Sequence, residues 1–273
     1  MNKQSSGTAL ITGASTGIGA VYADRLARRG YDLILVARDQ KRLEERAAQL
    51  RNETGVSVEV LKADLTDKAV LQAVEQRLRS DERISVLINN AGMAAKGTLI
   101  EADVDELETM IQLNVVAVTR LAKAAATNFV AQGRGIIVNV ASVLALAPEL
   151  LNGSYSGSKA YVLNLSQSLH NEIGNLGVQI QAVLPGATRT EIWERSGMAA
   201  TDLPAEMLME VDEMVDAALA GLDRGELVTI PSLPDAADWH AFNSARLHLG
   251  PNLSRDHAAA RYKTAPLAAR QSA

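Results

Sequence analysis

Seven short, apolar, β-branched runs, separated by longer stretches with helical spacing, constrain this chain more than any other feature. Residues 8–12 (TALIT), 32–37 (DLILVA), 57–62 (SVEVLK), 85–89 (SVLIN), 135–140 (GIIVNV), 178–184 (VQIQAVL) and 227–230 (LVTI) read as strands. Helical patterns lie near 18–29, 40–53, 67–79, 105–132, 155–176 and 209–223. Several of the strands are apolar almost throughout, as strands covered on both faces must be. The alternation predicts an α/β protein with a parallel sheet and helices on both sides. Residues 1–230 form one such domain in this reading, and 231–273 form a C-terminal extension.

Composition narrows the function. With 273 residues, 47% of them apolar and 22% charged, the chain has the balance of an ordinary soluble globular protein. The net charge of -5 argues against an extended basic surface for nucleic acid. Cysteine is absent, which excludes disulfides and thiolate zinc sites and fits a reducing compartment. The start, MNKQSSGTALITG, lacks the apolar length of a signal peptide. The longest apolar-rich run, IIVNVASVLALAP, is broken by Asn139 and Ser142 and is too short to span a bilayer. A cytoplasmic protein is therefore expected, with no membrane partner. His170, His240, His248 and His257 are scattered and form no HExxH or other close ligand pattern, so no metal site is expected.

The first strand runs directly into TGASTGIG, residues 12–19, and then into a helix. Glycines at 13, 17 and 19 let the backbone turn tightly and approach a pyrophosphate, while the helix start offers unpaired N–H groups to anionic oxygen. The spacing is G-x-x-x-G-x-G, so the G-x-G-x-x-G fingerprint is only partly met. The second strand ends VARD, residues 36–39. A carboxylate there would hold the ribose hydroxyls of NAD, whereas Arg38 and Arg42 suit a 2′-phosphate. NADP is the expected cofactor, with NAD the alternative if Asp39 points inward.

YSGSK, residues 155–159, puts Tyr155 and Lys159 four apart, on one face of a helix. A cation held near a phenol lowers its pKa from roughly 10. Taken alone, the spacing fits either a tuned proton donor or two residues on a solvated face.

With TGASTGIG, NNAG at 89–92, Ser142 and YSGSK in this order, residues 7–230 resemble the short-chain dehydrogenase/reductase family. The resemblance implies a doubly wound Rossmann fold and nicotinamide-dependent interconversion of a carbonyl and an alcohol. It implies catalytic roles for Asn114, Ser142, Tyr155 and Lys159. Tyr155 exchanges the proton, Ser142 orients the oxygen, Lys159 lowers the Tyr155 pKa and holds the ribose, and Asn114 anchors a proton-relay water. It also implies a cofactor site of Gly13, Ser15, Thr16, Gly17, Ile18 and Gly19 at the pyrophosphate turn. Arg38 and Arg42 would take the 2′-phosphate, Asp64 and Leu65 the adenine, and Asn90, Ala91 and Gly92 the adenine ribose. Pro185, Gly186, Thr188 and Thr190 would flank the nicotinamide, with Tyr155 and Lys159 at its ribose. A non-catalytic NADP-binding sensor is the alternative class, although such proteins usually lose part of the Ser–Tyr–Lys set.

The chain departs from the family in places. Thr16 stands where some NADP-using relatives carry a basic residue, and Gly157 where alanine is common. IPSLPD replaces the Asp-Gly-Gly ending of many members, which puts their tetramer in doubt. A homo-oligomer, dimer or tetramer, is the expected assembly, and the helices at 105–132 and 155–176 suit a dimer interface. Residues 185–208, which include Trp193, read equally well as a substrate lid or as a packed surface loop, and Trp193, Met198, Met207 and Met209 suit either an apolar, adaptable pocket wall or plain packing. The stretch from Pro231, with Trp239 and Phe242, would close the pocket, pack at an interface or fray; its end after Pro266 is expected to be disordered.

Overall fold

The computed structural model describes residues 6–150, 152–192 and 203–263. Its strands are β1 (Thr8–Thr12), β2 (Asp32–Ala37), β3 (Val58–Lys62), β4 (Ile84–Asn89), β5 (Gly135–Val140), β6 (Val178–Val183) and β7 (Val228–Thr229). They form one parallel sheet in the order β3-β2-β1-β4-β5-β6-β7. The helices are α1 (Gly17–Arg28), α2 (Gln40–Thr54), α3 (Lys68–Ser80), α4 (Val104–Ile111), α5 (Val118–Gln132), α6 (Gly153–Ile173) and α7 (Val211–Asp223).

Side-chain alternation along the strands divides the core into two layers. Ala9, Ile11, Leu33, Leu35, Val86 and Ile88 pack with Tyr22 and Leu26 of α1, Leu43 of α2 and Met214 and Leu219 of α7. Leu10, Ile34, Val36, Leu87 and Ile137 pack on the other face with Leu71 and Val74 of α3 and Leu121 and Phe129 of α5. Covering both faces explains the nearly unbroken apolar runs: every residue of β4 is buried.

One expected helix is not a single helix. Between α4 and α5, residues Gln112–Ala117 form a π-helical turn, and Asn114 lies inside it. The wider turn is a local insertion that periodicity alone does not reveal, and such turns are frequent at functional sites.

Contacts cluster into two units, Met1–Ser232 and Leu233–Ala273. The second contains helix α8 (Ala236–His248), started by the Asp235 carboxylate on the Ala237 amide at 2.8 Å. Within it the Trp239 and Phe242 rings meet at 5.6 Å between centroids. The stretch after Pro266 lies outside the described residues. Among the described residues no helix is long and apolar enough to cross a membrane, and no cluster of three or more His, Asp or Glu is placed to hold a metal.

Candidate active site

β1 and β4 are neighbours, but the chain leaves β1 for α1 on one face and leaves β4 for α4 and α5 on the other. This reversal opens a crevice at the carboxyl ends of the two strands, where open α/β sheets bind ligands. One buried hydroxyl ties its sides together. Thr12 Oγ1 donates to the Ile88 carbonyl at 3.2 Å and accepts from the amides of Asn90 and Ala91, each at 3.0 Å. Asn90 Nδ2 returns to the carbonyls of Thr12 at 2.9 Å and Gly13 at 3.3 Å. Sequence reasoning did not single out Thr12. A threonine as the last residue of an otherwise apolar strand, just before the glycines, was the available signal.

The turn itself needs its glycines. Gly13 has φ of 67°, and a Cβ at Gly19 would fall 2.4 Å from the Gly13 carbonyl oxygen. Side chains of Asp39, Asp67, Asp103 and Asn152 cap α2, α3, α4 and α6, but Thr16 makes no side-chain bond to the first amides of α1. No acidic residue lies in that first turn. The open amides of the turn and the start of α1, running from Ser15 through Gly17 and Ile18 to Gly19, therefore suit a pyrophosphate. A dinucleotide fits these residues. Thr190 reaches the same turn, because a Cβ on Gly17 would lie 3.3 Å from its methyl group. Pro185 is joined to the turn after β5 by its carbonyl, which accepts the Val143 amide at 3.0 Å. Thr188 Oγ1 donates to the Gly186 carbonyl at 3.1 Å.

At the adenosine side, Arg38 is exposed and, among the described residues, lies in no ion pair. Asp39 is held by α2, where its carboxylate accepts the Arg42 amide at 3.1 Å. Arg42 NH1 meets both oxygens of Glu191, at 2.9 and 3.1 Å. Burial pulls the Asp64 carboxyl upward, but hydrogen bonds from Thr66 at 3.0 and 2.7 Å and the charge of Arg38 outweigh it and leave the pKa lowered. Asp64 thus carries a charge directed at Thr66, with Leu65 buried beside it.

The four expected catalytic residues converge next to this crevice. α6 begins at Gly153, with the Asn152 side chain accepting the Ser154 amide at 2.9 Å, so Tyr155 lies in its first turn. The Ser142 hydroxyl, buried two residues beyond β5, accepts the Leu144 amide at 3.2 Å and lies close enough to the Tyr155 phenol to oppose the effect of burial on it. Lys159 is 6% exposed; its Nζ donates to the Val140 carbonyl at 3.0 Å and lies 5.8 Å from the centre of the Tyr155 ring. Asn114 accepts the Met93 amide at 3.0 Å and donates to the Met93 carbonyl at 2.8 Å and to Ser158 Oγ at 3.1 Å. A Cβ on Gly92 would lie 3.2 Å from Asn114 Oδ1 and 3.4 Å from Lys159 Nζ, so this glycine lets the two polar groups approach.

The electrostatics differ from the expected acidified phenol. Tyr155 is half-buried as a residue, yet burial of its hydroxyl end pushes the pKa up to about 12, only partly offset by the nearby Ser142 hydroxyl. Burial also pushes Lys159 down to about 8. Lys159 and Tyr155 do share one helix face, but desolvation of each group outweighs their mutual attraction.

Behind the site runs a second polar chain missed by sequence reasoning. Asn89 Nδ2 donates to Asn139 Oδ1, Asn139 Nδ2 to Ser166 Oγ (both 2.9 Å), and Ser166 Oγ to the Val162 carbonyl at 2.8 Å. It fixes α6, and with it Tyr155 and Lys159, against β4 and β5. An asparagine in the middle of the IIVNV run was its signal, because buried polar groups require partners. Trp193 and Met198 lie outside the described residues. Met207 is exposed, while Met209 packs against the core and accepts the Arg189 amide at 3.0 Å, so neither supports a continuous apolar wall.

A crevice at a sheet reversal, floored by a glycine turn and an uncapped helix, defines an α/β dinucleotide-binding protein. Residues 7–200 match the family model described as short chain dehydrogenase. The chain belongs to that family, and with it to the nicotinamide-dependent oxidoreductases. It is similar to a short-chain dehydrogenase from Sphingobium yanoikuyae solved in complex with NADPH, at 55% identity and TM-score 0.92 over 94% of this chain and 100% of that one. It also resembles the bulky-bulky ketone specific alcohol dehydrogenase from Comamonas testosteroni, at 47% identity and TM-score 0.88 over 96% of this chain and 100% of that one. An uncharacterized oxidoreductase of Staphylococcus saprophyticus is 31% identical over 223 residues, 81% of this chain and 93% of its own length.

The Thr12 hydroxyl makes the junction testable. Thr12→Val keeps the shape but leaves the Asn90 and Ala91 amides without their acceptor, so unfolding free energy falls by about 1–3 kcal/mol in urea denaturation. An unchanged midpoint would contradict the role of this hydroxyl.

Proposed function

We propose that this protein is an NADP(H)-dependent oxidoreductase that interconverts a ketone and a secondary alcohol, with Tyr155 as the proton donor and acceptor. The observation that carries the reading is the convergence of Ser142, Tyr155, Lys159 and Asn114 beside the glycine turn. NADPH in the Sphingobium relative and the exposed Arg38 at the end of β2 favour NADP over NAD. The Comamonas relative favours a ketone bearing two large substituents as the substrate class.

When bound, the reduced nicotinamide supplies hydride to the carbonyl carbon. The residues of this chain manage the charge that then develops on oxygen. Ser142 and Tyr155 converge as two hydrogen-bond donors, preset in a partly dry site where such donors act strongly. Tyr155, with its pKa held near 12, keeps its proton at neutral pH and delivers it only to an oxygen turning anionic. Lys159 places a positive charge near the phenol and favours the phenolate left behind. Asn114 fixes the Met93 backbone and Ser158, and with Gly92 leaves open an approach to Lys159 by which the proton is replaced. Gly13, Ser15, Thr16, Gly17, Ile18 and Gly19 hold the pyrophosphate in this proposal, and Arg38 and Arg42 the 2′-phosphate. Asp64 and Leu65 bound the adenine, Asn90, Ala91 and Gly92 its ribose, and Pro185, Gly186, Thr188 and Thr190 the nicotinamide.

The same proposal assigns a homodimer and a cytoplasmic location. The dimer forms through α5 and α6, whose outer face carries Tyr161 bonded to Thr119 at 2.8 Å, with Val104 and Ile111 of α4 exposed beside that helical layer. Sedimentation should then give twice the 29.1 kDa chain mass, and a single-chain mass would rule the dimer out. The cysteine-free composition fits the reducing cytoplasm.

A panel of bulky and small ketones, aldehydes and alcohols with each cofactor, followed by nicotinamide absorbance, tests activity and cofactor together. On any accepted ketone, Tyr155→Phe should lower kcat by about 10²–10⁴-fold while NADPH still binds. Unchanged turnover would remove the proton-transfer role. The pH profile carries a separate test. Lys159 is charged below about pH 8 and neutral above it, while Tyr155 stays protonated across this range. Between about pH 6 and about pH 10, kcat/KM for reduction should therefore hold level and then fall above the Lys159 pKa. A profile that rises through pH 8 would contradict the assignment.

A further inference from the structure

The pair between Arg42 and Glu191 spans the site and has no role in the mechanism above. Arg42 sits on α2 one helical turn beyond Arg38. Glu191 follows β6, 149 residues away, and directly follows Thr190, which contacts the glycine turn. Glu191 also borders, with Gly17, Val21, Arg46 and Arg189, a recess of about 460 Å³ beside α1. Its backbone approach is fixed. Thr188 bridges Met209, the Arg189 amide donates to the Met209 carbonyl at 3.0 Å, and the Met209 amide to the Ala187 carbonyl at 2.9 Å. The fold therefore presents this carboxylate to Arg42.

The electrostatic consequence concerns the cofactor. Asp39 Oδ2 lies 3.5 Å from Arg42 Nε and Glu191 Oε1 2.9 Å from its NH1, so the guanidinium faces two carboxylates. A phosphate approaching Arg42 meets a guanidinium nitrogen already engaged by both oxygens of Glu191. The Arg42 and Glu191 side chains are 46% and 40% exposed, and an exposed ion pair of this kind contributes little. A phosphate monoester carries about -1.5 to -2 charges and three acceptor oxygens, and it outcompetes a single carboxylate for the guanidinium fork.

We propose that Glu191 is a specificity-determining residue: it competes with the cofactor's 2′-phosphate for Arg42 and so holds back NADP(H) relative to NAD(H). NAD(H), which lacks that phosphate, binds with the Arg42–Glu191 pair intact. The proposal rests on the assignment of Arg42 to the 2′-phosphate made under the proposed function.

The test is equilibrium binding of NADPH, NADH and adenosine 2′-monophosphate to the full chain and its variants, by calorimetry or cofactor fluorescence. Glu191→Gln should tighten NADPH and adenosine 2′-monophosphate about two- to fivefold, as release from an exposed ion pair predicts, and leave NADH unchanged. Glu191→Ala should act in the same direction. In an Arg42→Ala background neither substitution should alter any affinity, which isolates the pair from effects elsewhere. NADPH binding unchanged by Glu191→Gln overturns the proposal. So does equal weakening of NADPH and NADH, the signature of a clasp that closes over the dinucleotide. A wild-type chain that binds NADH better than NADPH and ignores adenosine 2′-monophosphate would overturn the NADP assignment itself, a failure visible before any variant is made.

Discussion

The Thr12 hydroxyl, shared among three backbone groups of β4 and the loop beyond it, is the contact on which the rest of the site depends. A parallel sheet that reverses its winding has two adjacent strands whose continuations diverge, and nothing in the ladder holds their ends together. Thr12 and Asn90 supply that hold from opposite sides. The glycine turn can then pass close to Asn90, and Gly92 can pass close to Asn114 and Lys159. The glycine turn and the Asn114–Lys159 cluster are thereby fixed to one backbone junction.

Burial sets the chemistry of the Tyr155–Lys159 pair. Two groups four apart on a helix suggest simple acidification of the phenol by the ammonium. The fold instead removes both from water, raising one pKa and lowering the other. The result is a phenol that keeps its proton and an amine whose charge is sensitive to pH near neutrality. In a reduction this arrangement suits a donor that should release its proton only when negative charge appears beside it.

Much of the fold was legible in the sequence. The strands were readable because burial on both faces forces unbroken apolar runs, and β1, β2 and β5 begin and end at the expected residues. TGASTGIG was readable because a tight approach between backbones excludes side chains. Asn114 was singled out by resemblance, but the π-helical turn that holds it was not, since one widened turn leaves no mark on apolar spacing. The order β3-β2-β1-β4-β5-β6-β7 likewise depends on which strands find each other, and no local pattern encodes that.

The sequence by itself determined the alternation of elements, the glycines of the tight turn after β1, and which side chains are the candidates for the chemistry. Those are local properties, written in residue size and periodicity. Only the tertiary structure decided that Thr12 locks the crevice, that burial overrides the Tyr155–Lys159 attraction, and that Glu191 meets Arg42 from far along the chain. Each of these depends on distance and solvent exclusion between segments remote in sequence, and neither quantity exists until the chain has folded.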